Sequence, residues 1–238
     1  MILAAGRGAR MRPLTDSVPK PLLPVHGKPL IEWHLEALAR AGVREVVINT
    51  AWLEDQIVAA LGDGARWGLA IRYSMEGRDH GGALETAGGI ANALALLVDH
   101  PDDALWLVSG DIHAPGLRFD ASAAERFAHS RAWAHLWLVA NPPYHPRGDF
   151  GIDANGWAWA DPADPAAVAG VDAARWTYAN LALCRAALVA SVAPGTRAAL
   201  GPLLAAAMRE RHVSAEVYSG GWENVGTPSQ LEHLNRRP

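Results

Sequence analysis

The first half of the chain alternates between short apolar runs and segments whose apolar residues recur every three or four positions. The runs at 1–4, 44–50, 69–73 and 104–109 are predicted as buried strands. Between them, amphipathic helices are predicted at 30–41, 52–61 and 84–97. Strands that alternate with helices favour a parallel sheet covered by helices. The sequence therefore predicts an α/β fold with a Rossmann-like, mixed but mainly parallel sheet.

This regularity fades after residue 112. Three runs are predicted as strands of a mixed or antiparallel portion, at 133–141, 149–160 and 178–184, and a hairpin turn is expected at Asn155-Gly156 in the second of them. Further predictions are a surface loop at 161–176, helices at 197–211 and 228–235, and a short strand at 214–218. No linker divides the chain, so one domain over 1–238 is expected, with parts at 1–112 and 113–238.

Composition limits the classes of protein that this chain can belong to. A formal charge of -4 over 238 residues argues against a general nucleic-acid binder. The single cysteine, Cys184, excludes an intrachain disulfide and favours a reduced compartment. No apolar run approaches the ~18 residues of a membrane-spanning helix. We expect a cytoplasmic protein that binds neither nucleic acid nor membrane, as a monomer or homodimer.

Ligands of such sheets gather beyond the carboxyl ends of the strands. The segments that follow the first four predicted strands are 6–20, 49–52, 76–89 and 110–113. We expect the functional residues of the first half to lie in these segments.

The segment after the first strand combines small residues with cations. Gly6 and Gly8 leave backbone N–H groups accessible to phosphate oxygens, and the stretch also carries Arg7, Arg10, Arg12 and Lys20. A P-loop motif is absent, and the dinucleotide fingerprint fails because Met11 occupies its third glycine position. An arginine can grip a polyphosphate bidentately, whereas a lysine between two prolines fixes a compact charge. Loop composition alone leaves ordinary solvated cations equally open.

Longer motifs indicate a family. The stretches "LAAGRGARMRPLT" (3–15), "PKPLLPV" (19–25), "LVSGDI" (107–112) and "WENVGTP" (222–228) resemble the signature of the sugar-1-phosphate nucleotidylyltransferases. Within that family, "VVINTAWLEDQI" (46–57), "LETAGGI" (84–90) and "RGDF" (147–150) resemble the N-acetylmuramate-1-phosphate uridylyltransferases. The resemblance implies a nucleotide-diphospho-sugar transferase (GT-A-like) fold.

The same resemblance implies a reaction and its substrates. A uridylyl group would pass from UTP to N-acetylmuramic acid 1-phosphate, giving UDP-N-acetylmuramic acid and pyrophosphate in cell-wall recycling. Two alternatives stay open: a relative that uses dTTP or GTP with a hexose or heptose 1-phosphate, and a noncatalytic sugar-nucleotide sensor.

Catalytic and metal-binding roles follow from the resemblance residue by residue. It implies catalytic roles for Arg10, Lys20 and Asp111, and Mg²⁺ as the cofactor, held by Asp111 and the residue at position 224. The family has Asp at that second position, and this chain has Asn224. An amide oxygen still suits a hard cation but carries no charge, so the site would be weaker unless substrate phosphates compensate.

The remaining candidates border the two substrates. For the nucleotide they are the backbone of the first loop and the side chains that follow the third strand, namely Ala4, Ala5, Gly6, Gly8, Glu76, Glu85 and Thr86. For the sugar 1-phosphate, Arg147 is expected at the phosphate, with Asp149 and Asn180 at the sugar. The extra glycines at 77–83 form either a mobile flap over the nucleotide or a plain surface loop.

Overall fold

The computed structural model describes residues 1–161 and 174–236. Its strands are β1 Ile2–Leu3, β2 Pro24–Val25, β3 Lys28–Pro29, β4 Glu45–Thr50, β5 Ala70–Met75, β6 Leu105–Ser109, β7 Ile112–His113, β8 Ala134–Val139, β9 Gly151–Ile152, β10 Ala158–Trp159, β11 Thr177–Cys184, β12 Val213–Val217 and β13 Glu223–Asn224. Its α-helices are α1 Leu30–Arg40, α2 Glu54–Leu61, α3 Glu76–His80, α4 Glu85–Leu97, α5 Ala121–Ala128, α6 Leu200–Arg209 and α7 Pro228–Arg236. No helix within these described ranges is long and apolar enough to cross a membrane.

Seven strands form one sheet in the order β12-β8-β11-β6-β1-β4-β5. Neighbours run parallel except at β11, which is antiparallel to both β6 and β8. The predicted fold class, a mixed and mainly parallel sheet flanked by helices, is confirmed. Strand β1 lies between β4 and β6, so the loop that follows it leaves the middle of the sheet.

Helix α1 shows how the sequence pattern becomes packing. It begins after Pro29, and its apolar stripe, including Ile31, Leu35 and Leu38, is buried against the sheet. The chain turns away at Gly42, which has a φ of 82°. A second apolar cluster, built largely on α4 and α6, covers the opposite face. Both faces of the sheet are therefore buried, as a mainly parallel sheet requires.

Short accessory strands bring distant segments together. β13 pairs antiparallel with β7, with Asn224 opposite Ile112. The backbone N–H of Val225 donates to the carbonyl of Asp111 at 3.0 Å. The segment 223–225 is thereby attached to the residues that follow β6.

Several predicted boundaries were wrong. The hairpin expected at Asn155-Gly156 is present, since β9 pairs antiparallel with β10, but its strands are shorter than the predicted 149–160. The Asp153 carboxylate accepts the backbone N–H groups of Asn155 and Trp157 and closes the turn between them. The first strand is shorter than predicted, and α2 and α6 begin at Glu54 and Leu200. Helix α5 was not predicted. The loop predicted at 161–176 lies mostly outside the described residues.

Candidate active site

A cleft with two compartments opens at the carboxyl ends of β1, β4 and β6. The loop compartment, about 420 Å³, is bordered by the loop after β1, and the β11 compartment, about 680 Å³, is bordered by β11. The two compartments share five lining residues: Leu3, Arg10, Glu85, Thr86 and Ser109. A ligand that spans both would therefore pass Arg10.

The loop compartment contains most of the residues predicted for the nucleotide and for catalysis. Its lining includes the predicted Ala4, Ala5, Gly6, Gly8, Arg10, Lys20, Glu85, Thr86 and Asp111. Residues that lie far apart in the chain thus meet because β1 and β6 are neighbours in the sheet.

The loop after β1 needs glycine at position 8. Gly8 has a φ of 65°, and a Cβ there would lie 3.0 Å from Cγ2 of Thr15 and 3.2 Å from Cβ of Lys20. The hydroxyl of Thr15 donates to the Gly8 carbonyl at 2.9 Å. The loop therefore folds tightly against Thr15 and Lys20, and a side chain at position 8 would displace both.

The four cations of this loop divide into two pairs. Arg7 and Arg12 both bind the carboxylate of Asp16, at 3.0 and 2.9 Å, and Arg7 also stacks on the ring of Trp52. Arg10 is exposed, lines both compartments, and has no hydrogen bond or ion pair with another described residue. Of the three arginines, Arg10 is the one available to a ligand in the cleft.

The second pair of cations is Arg10 and Lys20. Unlike Arg10, Lys20 forms an ion pair within the protein. Its Nζ donates to Oδ2 of Asp111 at 2.7 Å, and Lys20 is buried while Asp111 is half-buried. Pro19 and Pro21 flank Lys20 in a short 3-10 turn and restrict its backbone. The result is a fixed positive charge on the floor of the cleft, next to a carboxylate.

Asn224 borders the β11 compartment, and its side chain suits a cation. Its Oδ1 is buried and has no hydrogen-bond partner in the described part of the chain. Oxygen ligands such as this amide and the Asp111 carboxylate are the type that Mg²⁺ prefers. Among the described residues, no three His, Cys, Asp or Glu side chains are arranged so that they could hold a metal ion together. Any cation held between these two residues would complete its coordination with water or ligand phosphates.

Glu76 does not line the cleft, so the prediction that it contacts the nucleotide needs correction. Glu76 has no exposed surface. Its Oε1 accepts from the side-chain amide of Asn49, and its Oε2 accepts from the backbone N–H of Leu84, both at 2.7 Å. Glu76 thus lies behind the cleft wall.

The segment 77–83 begins as the packed helix α3, which is not an open loop. A Cβ on Gly77 would lie 2.6 Å from the carbonyl oxygen of Ala51, so this turn packs directly on the residues before α2. His80 contacts the Asn92 side chain at 3.0 Å. Ala83, at the end of the segment, reaches the loop compartment. Close packing ties the first part of the segment to α2 and α4.

Glu85 and Thr86 stand where the two compartments meet. Glu85 has a φ of 61°, and its carboxylate pairs with Arg197 at 2.9 Å. Helix α4 begins at this residue, so its first turn faces the cleft. The structure thus places these two predicted residues at the boundary between the compartments.

The β11 compartment contains two of the three predicted sugar residues. Asn180 lies on β11 with a φ of 57°, at a shift in pairing register between Tyr178 and Ala182. Asp149 also lines this compartment, but it accepts from the backbone N–H of Tyr178 at 2.8 Å and contacts His145 at 3.0 Å. Asp149 therefore supports the wall as well as facing the cavity.

The prediction that Arg147 binds a phosphate is not supported by its position. Arg147 is exposed and lines neither compartment. The turn at 146–148 places it outside, because Gly148 adopts a positive φ of 59° and packs against the backbone of Arg175 and Trp176.

Sequence reasoning missed several lining residues. In the loop compartment it missed Asn49, which a position at the carboxyl end of β4 could have signalled. In the β11 compartment it missed Tyr144, His145, Thr177, Tyr178 and Trp222. These come from separate turns and strand ends, and only Trp222 among them lies in a motif noted above, "WENVGTP" (222–228).

Comparison with known proteins agrees with this geometry. A family model described as Nucleotidyl transferase matches residues 1–237. The chain belongs to the nucleotidyl transferase family. This nucleotidyl transferase is 45% identical over 235 residues to an N-acetylmuramate alpha-1-phosphate uridylyltransferase of Neisseria meningitidis, covering 98% of this chain and 94% of that protein.

Two further matches extend the comparison. A Caulobacter vibrioides protein, also described as an N-acetylmuramate alpha-1-phosphate uridylyltransferase, is 38% identical over 164 residues, which is 66% of this chain and 65% of that protein. The crystal structure of a Bacillus anthracis protein described as a glucose-1-phosphate thymidylyltransferase superposes with a TM-score of 0.75 at 22% identity, covering 98% of this chain and 92% of that one. The last match concerns the fold alone.

Proposed function

We propose that this nucleotidyl transferase moves a uridylyl group from UTP to N-acetylmuramic acid 1-phosphate, giving UDP-N-acetylmuramic acid and pyrophosphate. The observation that carries the reaction class is the Lys20–Asp111 pair, 2.7 Å apart, in a cleft whose two compartments both include Arg10. The choice of nucleotide and sugar follows the near-full-length similarity to the Neisseria meningitidis protein.

In this proposal the loop compartment holds the nucleotide and the β11 compartment holds the sugar 1-phosphate. Ala4, Ala5, Gly6 and Gly8 offer a narrow backbone surface for the base and ribose. Arg10 binds the β- and γ-phosphates, because a guanidinium can engage two phosphate oxygens at once. Lys20 neutralises charge on the phosphate that is transferred.

Bond formation requires little acid or base chemistry from the protein. A phosphate oxygen of the sugar 1-phosphate attacks the α-phosphorus of UTP in line, and the bond to the leaving pyrophosphate breaks. The attacking oxygen is already an anion, so no general base is needed. The protein contributes orientation and fixed positive charge, which are the main terms in phosphoryl and nucleotidyl transfer.

Asp111 and Asn224 are proposed to hold Mg²⁺ beside these phosphates. When bound, the cation would neutralise negative charge on the nucleotide phosphates. The unpartnered Oδ1 of Asn224 is an available ligand, although it adds no charge. Asn224→Asp should therefore lower the Mg²⁺ concentration for half-maximal activity about tenfold, a change of ~1.4 kcal/mol in cation binding. A requirement for more Mg²⁺ in this variant would argue against Asn224 as a ligand.

Pyrophosphate release tests the whole proposal. UTP and Mg²⁺ would be incubated with N-acetylmuramic acid 1-phosphate, N-acetylglucosamine 1-phosphate or glucose 1-phosphate in separate reactions. We expect rapid pyrophosphate release only in the reaction that contains N-acetylmuramic acid 1-phosphate. Release with another sugar, or with dTTP or GTP in place of UTP, would keep the reaction class and reject the substrate. Release with no combination would reject the activity and favour a sensor.

A further inference from the structure

In the wall of the loop compartment, Asn49 and Glu76 form a buried hydrogen-bonded pair, of which Asn49 lines the compartment and Glu76 lies behind it. Asn49 is 3% exposed and Glu76 is fully buried. The Nδ2 group of Asn49 donates to Oε1 of Glu76 at 2.7 Å. Each residue also accepts one backbone N–H: Ala4 donates to Oδ1 of Asn49 at 3.0 Å, and Leu84 donates to Oε2 of Glu76 at 2.7 Å. These three hydrogen bonds join Ala4 to Leu84 through two side chains.

The two backbone groups belong to the two sides of the loop compartment. Ala4 begins the loop after β1, and Leu84 lies between Ala83 and Glu85, which both line the compartment just where α4 begins. Ala5 and Ala83 also border a neighbouring cavity that the phosphate-binding candidates Arg10, Lys20 and Asp111 do not line. The nucleobase is therefore expected between Ala5 and Ala83, near the pair.

Helix α4 packs tightly over the same pair. A Cβ on Gly89 would lie 2.6 Å from Oε1 of Glu76 and 2.7 Å from Nδ2 of Asn49. Only glycine leaves room for the pair at this point of the helix. The separation of the two sides is thus fixed by hydrogen bonds along the pair and by close packing above it.

Burying the Glu76 carboxylate in this space costs desolvation free energy. Burial raises the pKa of Glu76, and the hydrogen bonds from Leu84 and Asn49 only partly oppose this effect. Both hydrogen bonds come from neutral donors. Apolar side chains would fill the volume without the cost of desolvating a charge, but they could not accept the Leu84 N–H.

We propose that Asn49 and Glu76 are positioning residues that fix the width of the nucleobase slot, and so the nucleotide that this enzyme accepts. The proposal rests on the proposed function, since it assumes that the loop compartment holds the nucleotide. Neither residue takes part in the transfer itself. The pair acts through Ala4 and Leu84.

Exchanging the amide of Asn49 with the carboxylate of Glu76 tests the proposal. In Asn49→Asp, two acceptor oxygens would face each other at the 2.7 Å contact. In Glu76→Gln, one amide group must face a second donor, at either Asn49 or Leu84. In the double variant Asn49→Asp/Glu76→Gln, every hydrogen bond is restored. Ala4 donates to Asp at 49, the new amide at 76 donates to the same carboxylate, and Leu84 donates to the new amide oxygen.

Two measurements would be made on each variant. The first is binding of UTP, dTTP, CTP and GTP with Mg²⁺ by calorimetry without sugar, and the second is steady-state KM for the nucleotide and the sugar 1-phosphate. Each single variant should raise the Kd of the preferred nucleotide and its KM about tenfold and reduce discrimination between nucleotides. The KM for the sugar should stay within about twofold, and the double variant should return to within about threefold of the wild type.

Asp153→Asn is the matched control, because Asp153 is a buried carboxylate that accepts two backbone N–H groups away from the cleft. It should lower the melting temperature and leave nucleotide binding unchanged. The proposal is overturned if the single variants behave like this control, or if the folded double variant stays as impaired as the single ones. If a single variant does not fold, Gly89→Ala tests the pair sterically, and an unchanged nucleotide KM in that variant would also overturn it.

The outcomes separate this inference from the proposed function. Nucleotide binding is measured without any sugar, so a wild-type protein that binds UTP but does not use the muramic sugar rejects the substrate and leaves the test of the pair intact. If the wild type binds another nucleoside triphosphate best, the same comparison is made with that nucleotide.

Discussion

The two compartments of the cleft are built in different ways. The loop compartment draws on short segments that each follow a parallel strand, and its walls are fixed from behind by buried contacts such as that of Asn49 with Ala4. Beyond the shared residues, the β11 compartment draws on turns, strand ends and a helix start from four separate regions of the chain, at 144–150, 177–180, 199–204 and 222–224. Its walls are joined by contacts such as that of Trp222 with the carbonyl of Ala179, at 2.9 Å. The loop compartment is thus covered by local sequence motifs, whereas the β11 compartment is covered only in part, by "RGDF" (147–150) and "WENVGTP" (222–228).

Among substitutions in the loop compartment, Lys20→Ala should reduce catalysis most severely. Removing one preorganised charge from the transition state costs ~3–4 kcal/mol, so kcat should fall about 10²–10³-fold, while the Kd for UTP changes much less. Pre-steady-state kinetics and calorimetry would measure the two effects. Lys28→Ala is the control, because Lys28 pairs with Glu36 and lines neither compartment. Equal losses of kcat and UTP affinity would show uniform binding instead.

Low pH should destabilise the part of the molecule that supports both compartments. Burial lowers the pKa of His34 to about 4, and the ring Nε2 lies 2.9 Å from the carbonyl of Ile112, next to Asp111. Between about pH 6.5 and pH 4 the unfolded state binds the extra proton, so the free energy of unfolding falls as the pH drops through that window, by at most ~3 kcal/mol.

Urea unfolding at pH 7, 5.5 and 4.5 would measure this dependence. His34→Gln keeps a donor for Ile112 and cannot titrate, so its stability should fall less steeply with acid. Burial also lowers the pKa of His113 to about 4. His113 should therefore contribute a similar loss of stability in acid, and this loss remains in His34→Gln. An identical slope in His34→Gln and the wild type would contradict the assignment to His34.

Arg10→Ala should affect both compartments, because Arg10 lines both. Loss of a charge-assisted contact to phosphate costs ~2 kcal/mol, so the KM for UTP should rise about 30-fold. Arg12→Ala is the matched control, since Arg12 pairs with Asp16 on the surface and should leave KM unchanged. Similar effects from both variants would reject the separate role of Arg10.

Substitutions of Asn180 should have the smallest effect on activity, and that effect should be confined to the sugar 1-phosphate in the β11 compartment. Because its φ is 57°, Asn180→Ala should cost ~1 kcal/mol of stability, whereas Asn180→Gly should be neutral or slightly stabilising. Both variants should raise the KM for the sugar 1-phosphate and leave the KM for UTP unchanged. Thermal unfolding and steady-state kinetics would measure the two effects. A raised UTP KM would show that the compartments are not independent.

Particular residues show why the sequence predicted one compartment better than the other. Ala4, Gly8, Arg10, Lys20 and Asp111 were predicted because the motifs that resemble the family run through the segments that follow the parallel strands, and such motifs are local in sequence. Glu76 follows a strand in the same way, yet it lies behind the wall. Position after a strand does not determine whether a side chain faces the cavity or the core.

The sequence by itself determined the fold class, through the alternation of strands and helices, and indicated the candidate phosphate-binding residues, through the glycine-rich loop and its motifs. Only the tertiary structure decided which cations remain available, because Asp16 binds Arg7 and Arg12 and leaves Arg10. It also decided that Arg147 lies outside the cleft and that Asn49 and Glu76 join its two sides. The physical reason is that hydrogen bonding and burial depend on distances between segments far apart in the chain, and local patterns carry no information about those distances.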